Sequence, residues 1–139
     1  MYSKIMVPVD LAHAGRLDKA LQTAADLANH YNAEAVYVGV TATTPSTVAH
    51  TPQEFKAKLN SFAADEAGKH GHKASGHMII ANDPTIDVDN ALMRAVGEIG
   101  ADLVVMASHV PNLADYVWPS NGGQVASHSK ASVFIVRAG

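Results

Sequence analysis

Five short apolar runs recur along this chain, and stretches with the spacing of amphipathic helices separate them. A strand that reads as a continuous apolar run is buried on both faces, which is typical of parallel sheets covered by helices. The alternation therefore predicts an α/β fold, a single doubly wound domain with helices on both faces of the sheet. The predicted strands are residues 5–9, 35–40, 77–81, 103–107 and 133–136.

Boundary residues mark the helices between these strands. Asn32, which tolerates the left-handed conformation, follows the first helical stretch and predicts its end. The segment Thr51-Pro52-Gln53-Glu54 combines a capping hydroxyl, a first-turn proline and a glutamate at the third helical position, so a helix is predicted to start there. A third helix is predicted to stop at Gly100, and a short fourth helix to cover about residues 122–129.

Composition limits the class of protein. The 139 residues suit one domain, 17% of them are charged, and the net charge is −3, so no basic surface for nucleic acid is expected. No cysteine is present, which removes disulfides and thiolate chemistry and fits a reducing compartment. The first ten residues lack a signal-peptide pattern, and no apolar run reaches the length of a membrane span. We therefore expect a soluble cytoplasmic protein.

The fold class predicts where a ligand would bind. In a doubly wound sheet, ligands lie beyond the carboxyl ends of the strands, where the winding reverses direction. The residues that follow strands one, two and four are therefore candidates for the site. They are Pro8, Val9 and Asp10, then Val40 and Thr41, then Ala107, Ser108 and His109 with the loop behind them.

Several motifs carry a resemblance to a known family. MVPVD on the first strand, GADLVVMASH through the fourth, the pair Ser120-Asn121 and the final SVFIVR occur in the order and register of the universal stress protein family. The chain resembles this family over essentially its whole length. It is most similar to the short members that have Ser-His-x-Pro after strand four, here Ser108 to Pro111, and Ser-Asn before the last helix.

The resemblance implies a strand order of 3-2-1-4-5, a homodimer and, as in many members, a bound adenine nucleotide: ATP, ADP or AMP. It also implies that adenine meets the strand-two backbone at Val40. ATP-binding members have three glycines in the loop after strand four, and those positions are Ala107, Val110 and Pro119 here. The stretch between the last two is one residue shorter than the ATP-binding spacing.

These replacements leave two interpretations of the loop. Pro119 has no N–H to donate and fixes φ, so one phosphate donor is lost. Ser120, Asn121 and Gly122 stand at the start of the last helix, where backbone N–H groups favour an anion, so a shifted phosphate cradle is one interpretation. In the other, Pro119 is a first-turn proline and Ser120 and Asn121 cap a helix that holds no ligand.

Asp10 also has two interpretations. It matches the strand-end aspartate of the family, and it could hold a ribose hydroxyl or a phosphate bound through Mg²⁺. Alternatively, it caps the helix that follows. The family's usual Gly-Ser after this aspartate is Leu11-Ala12 here. We favour a role in the site.

Catalysis is not expected. His109 is the only histidine predicted at the crevice, and Ser108 lacks a nucleophile-elbow motif. The loop from Ser108 to Asn121 contains no lysine or arginine to neutralise a triphosphate, so AMP, ADP or weak ATP binding is as plausible as tight ATP binding. His70, His72 and His77 occur close together in the sequence, but we expect them to be solvated and not to hold a metal.

The last strand predicts a partner. At the sheet edge, Val133 to Val136 would be an apolar strand without a neighbour, and soluble proteins cover such edges. A homodimer that pairs this strand with its twofold mate would do so. We therefore predict a nucleotide-responsive regulatory module with a protein partner and no turnover. The alternatives are an interaction module that has lost nucleotide binding, and a slow ATP hydrolase.

Overall fold

The computed structural model describes residues 1–43, 45, 48–81, 88–107 and 130–137. These residues form a five-stranded sheet, three α-helices and one 3₁₀ helix. The strands are β1 (Lys4–Pro8), β2 (Glu34–Thr41), β3 (Lys73–Ile80), β4 (Leu103–Ala107) and β5 (Ser132–Val136). The α-helices are α1 (Asp18–Tyr31), α2 (Pro52–His70) and α3 (Val88–Ile99), and the 3₁₀ helix (Leu11–Arg16) lies between β1 and α1.

The sheet is parallel throughout and its order is β3-β2-β1-β4-β5. Both the predicted fold class and the predicted strand order are confirmed. Two apolar clusters sandwich the sheet. One contains residues of α1 and α2, and the other contains residues of α3, so helices cover both faces as the apolar strands require. The predicted fourth helix, residues 122–129, lies outside the described residues.

Local signals set the helix ends. Asn32 adopts the left-handed conformation, with φ 55° and ψ 44°, directly after α1. Thr51 Oγ1 accepts a hydrogen bond from the backbone N–H of Glu54 at 3.1 Å, and Glu54 Oε2 accepts one from the backbone N–H of His50 at 3.1 Å. Gly100 has a φ of 73°, which ends α3. The three predicted boundaries are confirmed because each depends on neighbouring residues in the chain.

One predicted strand begins in the wrong place. The apolar run predicted strand three from His77, but β3 begins at Lys73 and pairs with β2 without interruption, from Glu34 opposite Lys73 to Thr41 opposite Ile80. β3 is an edge strand, so its first half does not need the continuous apolar pattern of a buried strand.

Two glycines let α2 lie close to the sheet. A Cβ at Gly39 on β2 would come within 2.7 Å of the Phe55 ring, and a Cβ at Gly76 on β3 would come within 2.7 Å of Asn60 Oδ1. Contacts this short do not occur between real side chains, so a side chain at Gly39 would have to displace the buried Phe55 ring. At Gly76 the exposed Asn60 side chain could move aside, but Leu59 Cγ would still be only 3.1 Å from the Cβ. This close packing fixes the position of α2 on β2 and β3.

Candidate functional site

The first part of the predicted site lies where β1 and β2 end. Pro8 is the last residue of β1 and lies opposite Val38. The backbone N–H of Val9 donates to the carbonyl of Val38 at 2.9 Å, so the ladder continues past the end of β1. Two residues further on, Asp10 and Val40 reach the same level of the sheet.

β4 brings the third element to the same edge. Ala107 is its last residue and is buried. β1 pairs with β4 with Ile5 opposite Leu103 and Met6 opposite Val104. Continued along both strands, this register sets Ala107 at the level of Val9. Pro8, Val9, Asp10, Val40 and Ala107, all predicted from the sequence, therefore meet at one edge of the sheet.

Asp10 is held by its own loop. One carboxylate oxygen, Oδ1, accepts a hydrogen bond from the backbone N–H of Ala12 at 3.0 Å and caps the 3₁₀ helix. The other, Oδ2, lies 2.9 Å from Nδ1 of His13. The capping role that the sequence left open is therefore present. Both carboxylate oxygens can still bind a ligand, because each can accept more than one hydrogen bond.

His13 was missed by sequence reasoning. The expectation that His109 is the only histidine at the crevice is wrong, because His13 lies against Asp10 at this edge. The side chains of His13 and Asp10 are 35% and 24% exposed, so the pair is accessible to a ligand. His13 has non-helical dihedral angles, φ −132° and ψ 29°, at a kink inside the 3₁₀ helix. The sequence signal for this contact was the spacing, because a histidine three residues after a strand-end aspartate can fold back onto it.

The tautomer of His13 follows from its partner. An ionised carboxylate only accepts hydrogen bonds, so Nδ1 of His13 must carry the proton that points to Asp10. Nε2 is then an acceptor in the neutral ring and a donor in the protonated ring. The pair can therefore accept a hydrogen bond from a sugar hydroxyl or donate one to a phosphate.

A groove of about 830 Å³ opens between the 3₁₀ helix and α2, beside the strand ends and not over them. Leu11 and Ala12 form one wall, and Glu54 and Lys58 belong to the other. Lys58 Nζ is 3.4 Å from Glu54 Oε1 and also donates to the carbonyl of Val48. The hydrogen bond from the His50 backbone lowers the pKa of Glu54, and Lys58 lowers it further. The lysine of this groove is therefore already paired within the protein.

The remaining predicted site residues lie outside the described residues. They are His109, Val110, Ser120, Asn121 and Gly122, together with Pro119 and the rest of the loop. The phosphate part of the site therefore remains a prediction from the sequence.

The three histidines considered for a metal lie in different environments. His72 is buried, with 7% of its surface exposed, so the expectation that it is solvated is wrong. It lies under the last turns of α2 and its ring contacts Tyr37 of β2. His70 is also largely covered, and His77 lies 3.1 Å from Glu98. No group of three metal-binding side chains is arranged around a common point in the residues that the structure describes.

The fold defines a doubly wound α/β protein, a class in which ligands commonly bind beyond the carboxyl ends of the strands. A model of the Universal stress protein family matches residues 1–137. The chain belongs to this family. Within its described part, no helix combines the length and apolarity needed to cross a membrane.

Solved structures share the fold. A universal stress protein family member from Burkholderia pseudomallei is 23% identical, with 97% of this chain and 96% of that one covered and a TM-score of 0.68. A universal stress protein in complex with cAMP is 21% identical, with 99% of each chain covered and a TM-score of 0.69. The Archaeoglobus fulgidus protein in complex with dAMP is 18% identical, with 96% and 97% covered and a TM-score of 0.64. A comparison with curated proteins found no match.

Proposed function

We propose that this protein is an adenine-nucleotide-responsive regulatory module of the stress response, acting in the cytoplasm without turning the nucleotide over. The observation that carries the proposal is the meeting of Val9, Asp10, Val40 and Ala107 at one edge of the sheet. Family membership supports it. So do the structural neighbours that hold cAMP and dAMP, since both ligands are adenine nucleotides.

Each strand end has a proposed role. Backbone groups of Val40 and Val9 would meet the adenine, and Asp10 would accept a hydrogen bond from the ribose. His13 would contact the ribose or the phosphate through Nε2. Backbone N–H groups of the segment Ser120-Asn121-Gly122 would bind the phosphate at the start of the predicted last helix.

Isothermal titration calorimetry with AMP, ADP and ATP tests this proposal, with and without Mg²⁺. We expect Asp10→Ala and Gly122→Val each to weaken binding by about tenfold, the loss expected for one hydrogen bond of about 1.4 kcal/mol. Asp26→Ala is the matched control, because Asp26 lies on the exposed face of α1 and contacts Gln22. Unchanged affinity in both site variants would remove the site assignment.

Mass spectrometry and phosphate release separate the alternatives. Native mass spectrometry of protein purified without added nucleotide should detect an adenine nucleotide. If none is carried and calorimetry detects no binding, the protein is an interaction module that has lost its nucleotide. If phosphate is released from ATP at a rate that Asp10→Ala abolishes, the protein is a slow hydrolase and the non-catalytic part of the proposal fails.

A homodimer through β5, together with a regulatory protein partner, completes the proposal. Phe134 and Ile135 on this edge strand are each 45% exposed, and apolar edges of this kind favour pairing with another strand. Sedimentation analysis should give a dimer for the native chain and a monomer for Ile135→Lys. A monomeric native chain at micromolar concentration would contradict this part of the proposal and leave the nucleotide site unaffected.

A further inference from the structure

A cluster of polar side chains is buried under the last turns of α2, at the amino end of the sheet and away from the candidate nucleotide site. Tyr37 of β2 is fully buried, and its hydroxyl lies 2.9 Å from Nε2 of His72 in the turn between α2 and β3. His70 and Glu66 belong to α2, and Nε2 of His70 lies 3.7 Å from Oε1 of Glu66. The rings of His70 and His72 are 6.0 Å apart.

Two atoms of this cluster lack a hydrogen-bond partner. In the part of the chain that the structure describes, they are Nδ1 of His72 and Oε1 of Glu66, and both are buried. If the Tyr37 hydroxyl donates to Nε2, the Nδ1–H of His72 is the one group of these two side chains that lacks a hydrogen-bond partner in the described structure. If Nε2–H donates instead, the tyrosine hydrogen and the Nδ1 lone pair both lack one. The first arrangement is therefore favoured in the neutral cluster.

Protonation of His72 would reverse this hydrogen bond. Both ring nitrogens of a protonated histidine are donors, so Tyr37 would have to accept and its own hydrogen would lose its acceptor. The new charge would be buried, with a donor at Nδ1 that has no acceptor in the described structure. Burial lowers the pKa of His72, and the neighbouring His70 lowers it further. Acid therefore stabilises any state in which His72 reaches water.

The other groups that face His72 do not remove this cost. Burial raises the pKa of Tyr37, and the charge of Glu66 raises it further, so the phenol keeps its proton. On α2, Oε1 of Glu66 faces Nε2 of His70 at 3.7 Å. From α1, Asn29 contributes a neutral amide that donates to the carbonyl of His70 at 3.0 Å.

We infer that Tyr37, Glu66, His70 and His72 form an acid-sensitive latch, which holds the end of α2 and the α2–β3 turn on the sheet at neutral pH and releases them on acidification. The latch lies where the chain leaves α2 and enters β3. Gly71 ends α2 in the left-handed conformation, with a φ of 75°, and His72 is the last residue before β3. The α2–β3 turn lies at the amino ends of the strands, whereas the candidate nucleotide site lies at their carboxyl ends.

Hydrogen exchange measured by mass spectrometry from about pH 7.5 to about pH 5 tests the latch, after correction for the intrinsic pH dependence of exchange. We expect the opening equilibrium of residues 66–76 to rise by up to about tenfold per pH unit below the pKa of free histidine. Exchange in β1 and β4 should not change. In His72→Gln, which can still hydrogen-bond to Tyr37 but does not titrate, the rise should disappear, whereas in the control His50→Gln, at an exposed histidine, it should remain.

Three results would overturn the inference. In the first, the corrected exchange of residues 66–76 stays constant over this pH range. In the second, His72→Gln shows the same pH dependence as the native chain. In the third, all strands open together, which would mean global acid unfolding. If His72→Gln does not fold, NMR titration of the native histidines replaces it. The His72 ring must then titrate below the pKa of free histidine, at the pH where the rise in opening levels off, and a ring that titrates at the free value rejects the latch.

Discussion

Gly39 of β2 lies so close beneath the ring of Phe55 that a Cβ built on Gly39 would be 2.7 Å from two ring carbons and 3.4 Å from Leu59 Cδ2. Phe55 and Leu59 are both buried in the cluster that joins α2 to the sheet. The position of α2, and with it the groove beside the candidate site, therefore depends on the absence of a side chain at residue 39.

Gly39→Ala should destabilise the protein by about 1–3 kcal/mol, because the methyl group forces the buried Phe55 ring out of its packing position. Urea denaturation measures this loss. Gly68→Ala is the control, since Gly68 is an exposed residue of α2 with open space around it, and this change should be neutral or stabilising by up to about 1 kcal/mol. In a double-mutant cycle, Phe55→Leu should reduce the stability lost through Gly39→Ala. If the two changes in the free energy of unfolding simply add, residues 39 and 55 are not in contact.

Asp102→Ala should lower the free energy of unfolding by about 2 kcal/mol at neutral pH, since the carboxylate accepts hydrogen bonds from the start of β1. The donors are the backbone N–H and hydroxyl of Ser3 and the backbone N–H of Lys4, at 3.0 to 3.3 Å. Burial alone would raise the pKa of Asp102, but these hydrogen bonds together hold it below its usual value. Asp102→Asn, which keeps one acceptor oxygen, should lose less, and equal losses would refute the explanation.

His13→Ala should weaken AMP binding by about tenfold while it changes the free energy of unfolding by less than about 1 kcal/mol, because the half-buried pair with Asp10 is still open to solvent and contributes little to stability. Calorimetry and urea denaturation give the two values. His30→Ala, at an exposed histidine near the end of α1, should change neither by as much. A large loss of stability with unchanged affinity would make His13 a structural residue only.

Stability should fall above about pH 10 through Tyr37. The pKa of this phenol is raised in the folded protein, so the unfolded chain loses the proton first as the pH rises. The free energy of unfolding is therefore highest below pH 10.0, the usual pKa of a tyrosine, and falls above it. The loss is about 1.4 kcal/mol for each pH unit above that value. Tyr37→Phe should be less stable at neutral pH and should show a smaller decline between about pH 9 and about pH 11. Parallel declines in both proteins would contradict this role.

The sequence predicted the features that depend on neighbouring residues and on apolar pattern. Asn32 and Thr51 act as helix boundaries because their side chains and backbones satisfy local groups. The buried strands β1, β2 and β4 are found within one residue at each end because their apolar runs reflect cover on both faces. The strand ends of the candidate site could be predicted for the same reason, since a parallel sheet brings them to one edge.

Tertiary structure alone decided the contacts between elements that are distant in the chain. The start of β3 at Lys73 depends on pairing with β2, and the burial of His72 depends on Tyr37, 35 residues earlier. Sequence pattern does not encode these contacts, because a polar residue at a sheet edge and one beneath a helix look alike until the helix is in place. The sequence by itself therefore determined the fold and the family, and it predicted where a ligand would bind. The packing of α2 on the sheet determined which histidines are buried.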